Sequence, residues 1–244
     1  MAIKIVTASG KGGVGKSTTA AALGMLFSSE GRKTLLIDCD CGLGSLDVLL
    51  GKAEETAFNW YDVYSGACSL EDAQIKINGS LSLLSAPVKP PENCGEDCVR
   101  EIAENAEDGF DFIIIDAPAG VGEGLLRAAS AADSALIIAT ADEVSVRGAE
   151  KTDAVLRNAG IKQTRLLINR YSVKEAKKGK LLGIDEVINK TYVRLIGVVP
   201  EDKEISAYSV TRKVGKKSKS LAAFKRIADR ILGKNVKLTL SLIK

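Results

Sequence analysis

The sequence predicts an α/β fold in which a mostly parallel, twisted sheet carries helices on both faces. Short apolar runs rich in β-branched residues alternate with longer amphipathic stretches, which is the pattern of successive βαβ units. The short runs are apolar on both sides, as strands buried under two helical layers must be. Hydrophobic residues make up 45% of the 244 residues, so the chain can form such a core and is too apolar for disorder.

The alternating segments give the order of the elements. The predicted strands are Ile3–Thr7, Thr34–Asp38, Leu81–Ser85, Phe112–Asp116, Ala135–Ala139, Arg165–Asn169 and Ile196–Val199. The predicted helices are Ser17–Ser29, Val99–Glu107, Val146–Ala159 and Leu221–Leu232. Gly31, Gly109 and Gly160 follow three of these helices closely, where a helix-terminating glycine belongs. Lys174–Lys180 and Lys213–Lys219 are predicted to be charged loops.

No repeat or composition shift divides this alternation. Residues 1–233 are therefore predicted to form a single domain, followed by a C-terminal tail at residues 234–244. Strand–helix alternation implies right-handed crossovers and parallel strands, whose carboxyl ends share one edge of the sheet. That edge is where we expect a functional site.

The absence of histidine excludes several classes of catalytic site. Ser-His-Asp and Cys-His nucleophiles, histidine-ligated zinc and an imidazole base are all impossible, so catalysis must use carboxylates, lysine or arginine, backbone amides or a bound ion. The net charge of +3 is too small to indicate a nucleic-acid partner. Neither a secretory leader nor a membrane-spanning apolar run is recognisable, so we expect a cytoplasmic protein.

Five cysteines occur, an odd number. Cys94 and Cys98 form a C-x3-C pair, and Cys39 and Cys41 lie close together in the sequence. A four-cysteine zinc site is one interpretation, although only one pair has a typical short spacing. Free thiols, as in a reducing compartment, are the expectation that we prefer.

The strongest motif is a glycine-rich loop that joins the first strand to the first helix. Its residues are Gly10, Lys11, Gly12, Gly13, Val14, Gly15, Lys16, Ser17 and Thr18. Glycines let the backbone wrap with its N–H groups pointing inward, and the helix N-terminus adds partial positive charge. Lys16 adds a full charge, and the Ser17 hydroxyl is placed to ligate Mg²⁺ beside the phosphates. The loop predicts a phosphate-binding site and a three-layer P-loop NTPase fold.

Acidic residues end two of the predicted strands. Asp38 and Asp40 follow one apolar run with a spacing that points both carboxylates the same way on an extended chain. Asp116 ends another run, as a Walker B aspartate that acts around Mg²⁺. Gly120 then allows a backbone N–H to approach the terminal phosphate. We expect these groups at the same sheet edge as the glycine-rich loop; the alternative for the first pair is that both acids cap the next turn.

Lys11 is a second lysine near the start of the loop, which gives the deviant Walker A pattern KGGxGK[ST]. In this pattern the chain resembles the ParA/MinD family of dimerising P-loop ATPases. The segment Asp116–Gly120, DAPAG, is similar to the MinD branch of that family, and the resemblance covers residues 2–232. Gly44 and Ser45 depart from it, since they stand where relatives have Arg-Asn.

The resemblance implies roles for the charged residues. Lys11 would reach across a dimer interface to the partner's nucleotide, acting like an arginine finger. Asp38 would orient or deprotonate the attacking water, and Asp40 would hold a Mg²⁺-bound water. Catalysis would therefore rest on Lys11, Lys16 and Asp38, and metal binding on Ser17, Asp40 and Asp116.

The resemblance also implies a binding site for the base of ATP. Asn169 would accept from the adenine amino group, with Arg170 beside the base. Pro200, Glu201 and Asp202 belong to a later loop whose backbone would line the base. The cofactors implied are ATP and Mg²⁺.

As a function, the resemblance implies a switch that regulates placement of the division septum. ATP would drive homodimerisation, reversible association with the inner face of the cell membrane, and recruitment of a division inhibitor and of a partner that stimulates slow hydrolysis. Relatives carry a short basic amphipathic helix at the C-terminus. The tail from Val236 to Lys244 instead alternates with a period of two, which favours a strand, so membrane binding stays one of two interpretations beside a docked or disordered terminus.

Two other functions of the same family stay open. A DNA-partition ATPase would use the lysines of Lys174–Lys180 and Lys213–Lys219 on phosphates. A flagellar-placement ATPase would share the active site, although the N-terminal partner motif of such relatives is missing before Ile3. ATP-dependent, salt-sensitive binding to random duplex DNA distinguishes the first of these from the septum switch.

Overall fold

The computed structural model describes residues 1–42, 44–89, 92, 94–202 and 218–238. In these residues the strands are β1 Ile3–Ala8, β2 Thr34–Asp38, β3 Ile75–Asn78, β4 Leu81–Leu84, β5 Phe112–Asp116, β6 Ser134–Ala139, β7 Gln163–Tyr171 and β8 Leu195–Pro200. They form one eight-stranded sheet in the order β3-β4-β2-β5-β1-β6-β7-β8. Helices cover both faces, so the predicted α/β fold is confirmed.

All neighbouring strands in this sheet are parallel except β3 and β4. The sequence prediction misses β3, because its short run carries a lysine and only partly buries its side chains. β3 and β4 form a hairpin in which the Asn78 side chain accepts a hydrogen bond from the Ser80 N–H, 2.9 Å. The antiparallel strand covers one edge of an otherwise parallel sheet.

The described helices are α1 Lys16–Ser29, α2 Leu46–Leu49, α3 Trp60–Tyr64, α4 Leu70–Ala73, α5 Cys98–Ala106, α6 Glu123–Ser130, α7 Glu143–Asn158, α8 Val173–Lys177, α9 Ile184–Thr191 and α10 Lys219–Ile231. Every predicted helix is present with ends that differ by a few residues. The helices that the sequence prediction misses are short, so an amphipathic period has too few turns to stand out.

One predicted loop needs correction. Lys174–Lys180 is partly helical, because Ser172 caps α8 by accepting from the Glu175 N–H. Of the second predicted charged loop, residues 213–217 lie outside the described residues, and Lys219 begins α10.

The sheet separates two hydrophobic clusters, one on each face. β2 and β5 are buried along their whole length. On one face, the ring of Phe27 in α1 stacks on Phe112 of β5 with centroids 4.3 Å apart. In the strand register Asp38 lies opposite Asp116, and Asp116 lies opposite Thr7. The polar ends of three central strands therefore meet at one edge of the sheet.

The expectation of free thiols is wrong for one pair of cysteines. Cys94 and Cys98 form a disulfide with Cα atoms 5.8 Å apart, because Cys98 begins α5 and the preceding turn brings Cys94 back over it. Cys39, Cys41 and Cys68 are free. No cluster of metal-ligating side chains occurs within the described ranges, which gives the zinc alternative no support.

The C-terminal tail is described as far as residue 238, so most of the predicted alternating segment lies outside the description. Residues 234–238 are irregular and are fastened to the domain by Arg230. Its guanidinium donates to the carbonyls of Val236 (3.0 Å), Lys237 (2.6 Å) and Ile196 of β8 (2.8 Å). Across the described residues, no helix has the length and hydropathy to cross a bilayer.

Candidate functional site

The glycine-rich loop follows β1 and leads into α1 as the sequence predicts. Gly13 and Gly15 have φ values of 75° and 92°, in the left-handed region that glycine adopts without strain. Gly10 packs directly on the backbone of α7, where an added Cβ would lie 2.4 Å from the Gly148 carbonyl oxygen. Backbone conformation and close packing therefore explain why these positions are glycine.

Lys16 lies beneath this loop in a buried ion pair. Its Nζ is 2.9 Å from Asp116 Oδ1, and the two side chains are 7% and 0% exposed. The Thr7 hydroxyl donates to the same carboxylate oxygen at 2.7 Å. Burial of two charges is tolerated only when they are paired and hydrogen-bonded, so this geometry fixes both side chains.

Two buried polar atoms beside the pair have no hydrogen-bond partner among the described residues. They are Asp116 Oδ2 and the Ser9 hydroxyl. Nearly all buried polar groups are bonded, so unpartnered ones at a single sheet edge indicate a place for a polar ligand. The residues present therefore fit a metal-bound phosphate group.

A cleft of about 590 Å³ opens above these atoms; we call it the phosphate cleft. It is lined by Ser9, Gly12, Gly13, Gly15, Lys16, Ser17, Thr18, Asp40, Gly44, Ser45, Val48, Leu49, Ala119 and Arg170. Burial raises the pKa of Asp40, Lys16 opposes that rise, and Asp116 adds to it. The structure thus brings Ser17 and Asp40 to one cavity. Gly120 lies beside it with φ 101°, and its N–H donates to Ser9 O at 2.9 Å.

Asp38 is buried and is bonded to its own loop. Its carboxylate accepts the backbone N–H groups of Asp40 (2.9 Å), Ser45 (3.0 Å) and Leu46 (3.1 Å). Burial raises the pKa of Asp38 to about 6, with Asp116 adding to the rise and the three N–H groups opposing it. The carboxylate anchors Asp40, Ser45 and Leu46 here, and its role toward water stays a prediction.

Lys11, at the other end of the loop, faces solvent and is held within its own chain. Its Nζ is 3.1 Å from Asp142 Oδ1, with side-chain exposures of 43% and 33%. Asp142 also caps α7 by accepting the Ser145 N–H, and it accepts the Thr140 hydroxyl. Burial acts to raise the pKa of Asp142, but these hydrogen bonds and Lys11 lower it below its usual value.

Two of the predicted base-binding residues border a second cleft, of about 340 Å³. Arg170 and Glu201 line it together with Lys11. Asn169 is buried, and its Nδ2 donates to the Val14 carbonyl at 2.8 Å, so it braces the glycine-rich loop, and its contact with a base stays a prediction. Arg170 has a φ of 52°, a left-handed conformation that costs about 1 kcal/mol in a non-glycine residue.

Pro200 and Asp202 lie away from the cleft linings and serve the start of α10. The Pro200 carbonyl accepts the Ser220 hydroxyl at 3.1 Å, and Asp202 Oδ2 accepts the Ser218 hydroxyl at 2.7 Å. Their predicted contact with a base stays a prediction.

Sequence reasoning misses two residues of this site. Thr7 was treated only as the end of a strand, although its hydroxyl positions Asp116. Asp142 is absent from the predicted site, although the structure pairs it with Lys11 and makes it the cap of α7. Its position before the apolar period of α7 is the N-cap signal that could have found it, but its pairing with Lys11 depends on strand order.

Comparisons with known proteins agree with this geometry. The sequence profile of the CobQ/CobB/MinD/ParA nucleotide binding domain matches residues 5–213. The septum site-determining protein MinD of Bacillus subtilis is 33% identical over 242 residues, which cover 96% of this chain and 90% of the relative. The putative MinD of Guillardia theta is 36% identical over 208 residues, covering 83% and 77%.

Solved structures give the same result. The Aquifex aeolicus MinC:MinD cell division protein complex contains a chain with a TM-score of 0.87, 29% identity and 98% coverage of both chains. MinD from Pyrococcus horikoshii, complexed with Mg-ADP, has a TM-score of 0.82 at 25% identity, covering 95% and 96%. A putative plasmid partition protein of Borrelia burgdorferi, at 21% identity and a TM-score of 0.75, shares the fold. The predicted resemblance is confirmed.

Proposed function

The chain belongs to the CobQ/CobB/MinD/ParA family of nucleotide-binding proteins, and we propose that it is a MinD-type ATPase switch that regulates septum placement. The observation that carries this proposal is the buried Lys16–Asp116 pair beneath a left-handed glycine loop, with Asp116 Oδ2 and Ser9 Oγ unpartnered beside it. The reaction is hydrolysis of ATP to ADP and phosphate with Mg²⁺.

Different residues in and beside the phosphate cleft bind the phosphates, bind the metal ion and orient the attacking water. Backbone N–H groups of the loop and the Lys16 ammonium bind the phosphates. The Ser17 hydroxyl, Asp40 and Asp116 would hold Mg²⁺, and this ion would neutralise charge on the phosphates. Asp38 orients the attacking water once its bonds to Asp40, Ser45 and Leu46 rearrange around a triphosphate. The raised pKa of Asp38 suits a group that accepts a proton.

Lys11 acts in trans in this proposal. In the isolated chain it is paired with Asp142 across an exposed contact, which is worth about 1 kcal/mol or less. A second copy that presents a triphosphate offers a stronger site for the same cation. ATP therefore favours a homodimer in which each Lys11 serves the partner's nucleotide, and hydrolysis releases it.

Dimerisation would control membrane attachment and partner recruitment. A single short C-terminal anchor binds a bilayer only marginally, and stable attachment usually needs two. Pairing two tails makes the second contact intramolecular, which raises avidity by roughly 10²–10⁴. The ATP dimer would then recruit a division inhibitor at the membrane, and a second partner would stimulate hydrolysis.

The first test is size-exclusion chromatography of Asp38→Ala with ATP and with ADP. We expect a stable dimer with ATP only and turnover reduced by about 10²-fold, since a residue acting on the attacking water is gone. Asp47→Ala is the matched control, because Asp47 is a neighbouring acid that lines neither cleft. Rapid steady-state turnover by the Asp38 variant would contradict its assigned role.

The second test uses vesicles of anionic phospholipid. Sedimentation of the protein with the vesicles should need ATP and should be lost when Val236–Lys244 is deleted. Equal binding with ADP and ATP would count against the switch. Binding to random duplex DNA in ATP, without vesicle binding, would instead support the partition function.

A further inference from the structure

The main-chain carbonyl oxygen of Asp38 lies at the end of β2, where the neighbouring strand β4 no longer donates hydrogen bonds to it. β2 pairs with β5 as far as Asp38, but its ladder with β4 ends one residue earlier, at Ile37 and Leu84. On that side the described strands present no N–H to the carbonyl of Asp38, which belongs to a buried residue. A buried carbonyl without a donor costs free energy, so another group must satisfy it.

Trp60 supplies the missing donor. Its indole Nε1–H donates to the Asp38 carbonyl oxygen at 2.9 Å, and its main-chain N–H donates to Ser85 O at 3.1 Å. Ser85 directly follows β4 and forms a bridge with Asn59 instead of with β2. Trp60 therefore spans the gap between two diverging strand ends, with one N–H group on each.

The indole is itself held rigidly. Trp60 is fully buried and is the first residue of α3. Asn59 caps this helix by accepting the Tyr61 N–H at 2.9 Å, and Asp62 accepts the Asn59 N–H at 2.8 Å in return. Close packing around the buried ring restricts its rotation, so the indole donor is held against the Asp38 carbonyl.

We propose that Trp60 is a positioning residue for ATP hydrolysis, which sets the place of Asp38 through its indole N–H. The inference rests on the proposed function, in which Asp38 aligns the attacking water. Asp38 in turn holds the N–H groups of Asp40, Ser45 and Leu46, so a shift at its carbonyl is passed to the wall of the phosphate cleft.

The chain contains a single tryptophan, which allows a one-atom test. Growth of a tryptophan auxotroph on benzothienylalanine replaces the indole N–H by sulfur at this site alone and keeps the ring size. We expect kcat for ATP to fall about ten-fold while KM changes less than about two-fold, because the phosphate contacts are intact and only the alignment is lost. Incorporation of 5-fluorotryptophan keeps the N–H and should keep kcat. Tyr61→Phe, which alters α3 beside Trp60, controls for packing.

A spectroscopic measurement tests the hydrogen bond without turnover. Protein labelled with ¹⁵N-tryptophan gives one indole N–H resonance, which should exchange slowly with water and should shift in Asp38→Asn but not in Asp47→Asn. Exchange of the indole proton as fast as in free tryptophan would overturn the inference. This measurement does not depend on whether the benzothienyl protein folds.

The outcomes separate this inference from the proposed function. Unmodified protein that does not hydrolyse ATP but protects its indole N–H would refute the proposed function and leave the hydrogen bond standing. Normal turnover by the benzothienyl protein, beside an active unmodified protein, would refute the role of Trp60 alone. A ten-fold loss of kcat in Tyr61→Phe as well would assign the effect to packing.

Discussion

The two ends of the glycine-rich loop carry the same chemical group in opposite environments. Lys16 is buried against Asp116, and Lys11 is half-exposed against Asp142. A buried pair cannot lose a partner without leaving an uncompensated charge, whereas an exposed pair is screened by water and exchanges readily. The comparison teaches that burial makes one lysine a fixed part of the site, whereas the exposed lysine can leave its ion pair at little cost.

Removal of Lys16 should give the largest effect. Lys16→Ala leaves Asp116 buried and unpaired, so we expect stability to fall by about 3–5 kcal/mol and nucleotide binding to be lost. Urea denaturation and calorimetric titration with ATP and ADP measure the two quantities. Lys151→Ala, on the exposed side of α7, is the control. If the Lys16 variant bound ATP normally, the buried lysine would be no more important for nucleotide binding than the exposed Lys11.

Removal of Lys11 should affect assembly and leave the fold intact. Lys11→Ala loses only an exposed ion pair, so stability should change by less than about 1 kcal/mol. We expect ATP binding to persist, while ATP-dependent dimerisation and partner-stimulated turnover are lost. Light scattering with ATP, together with a binding titration, checks this. A Lys11→Ala protein that still dimerises and hydrolyses normally would refute the action in trans.

Neutralisation of Asp142 should have the smallest effect and the opposite sign. Asp142→Asn keeps an N-cap for α7 but removes the charge that holds Lys11 in its own chain. The ATP dimer should therefore form at a concentration lower by about two- to five-fold, which corresponds to an exposed pair of less than about 1 kcal/mol. Sedimentation equilibrium measures the shift, and weaker dimerisation would argue that Asp142 itself contacts the partner.

The sequence predicts those motifs, helices and strands that a pattern of neighbouring residues reveals. The glycine spacing from Gly10 to Lys16 and the apolar runs that end at Asp38 and Asp116 predict the sheet edge at which the phosphate cleft opens. The sequence does not predict short elements such as β3 and α8, because a four-residue strand and a five-residue helix carry little periodicity. The disulfide between Cys94 and Cys98 was also missed, since two cysteines in a loop do not reveal the turn that brings them together.

The sequence by itself determined the fold class, the phosphate-binding loop and the acids that face it, because each depends on residues close together in the chain. Only the tertiary structure decided which of these residues pair. Lys16 meets Asp116 across 100 residues, Lys11 meets Asp142 across 131, and Asn169 braces Val14 across 155. The indole of Trp60 likewise meets Asp38 only because β4 diverges from β2. Strand order and burial set these contacts, and the spacing of residues along the sequence predicts neither of them.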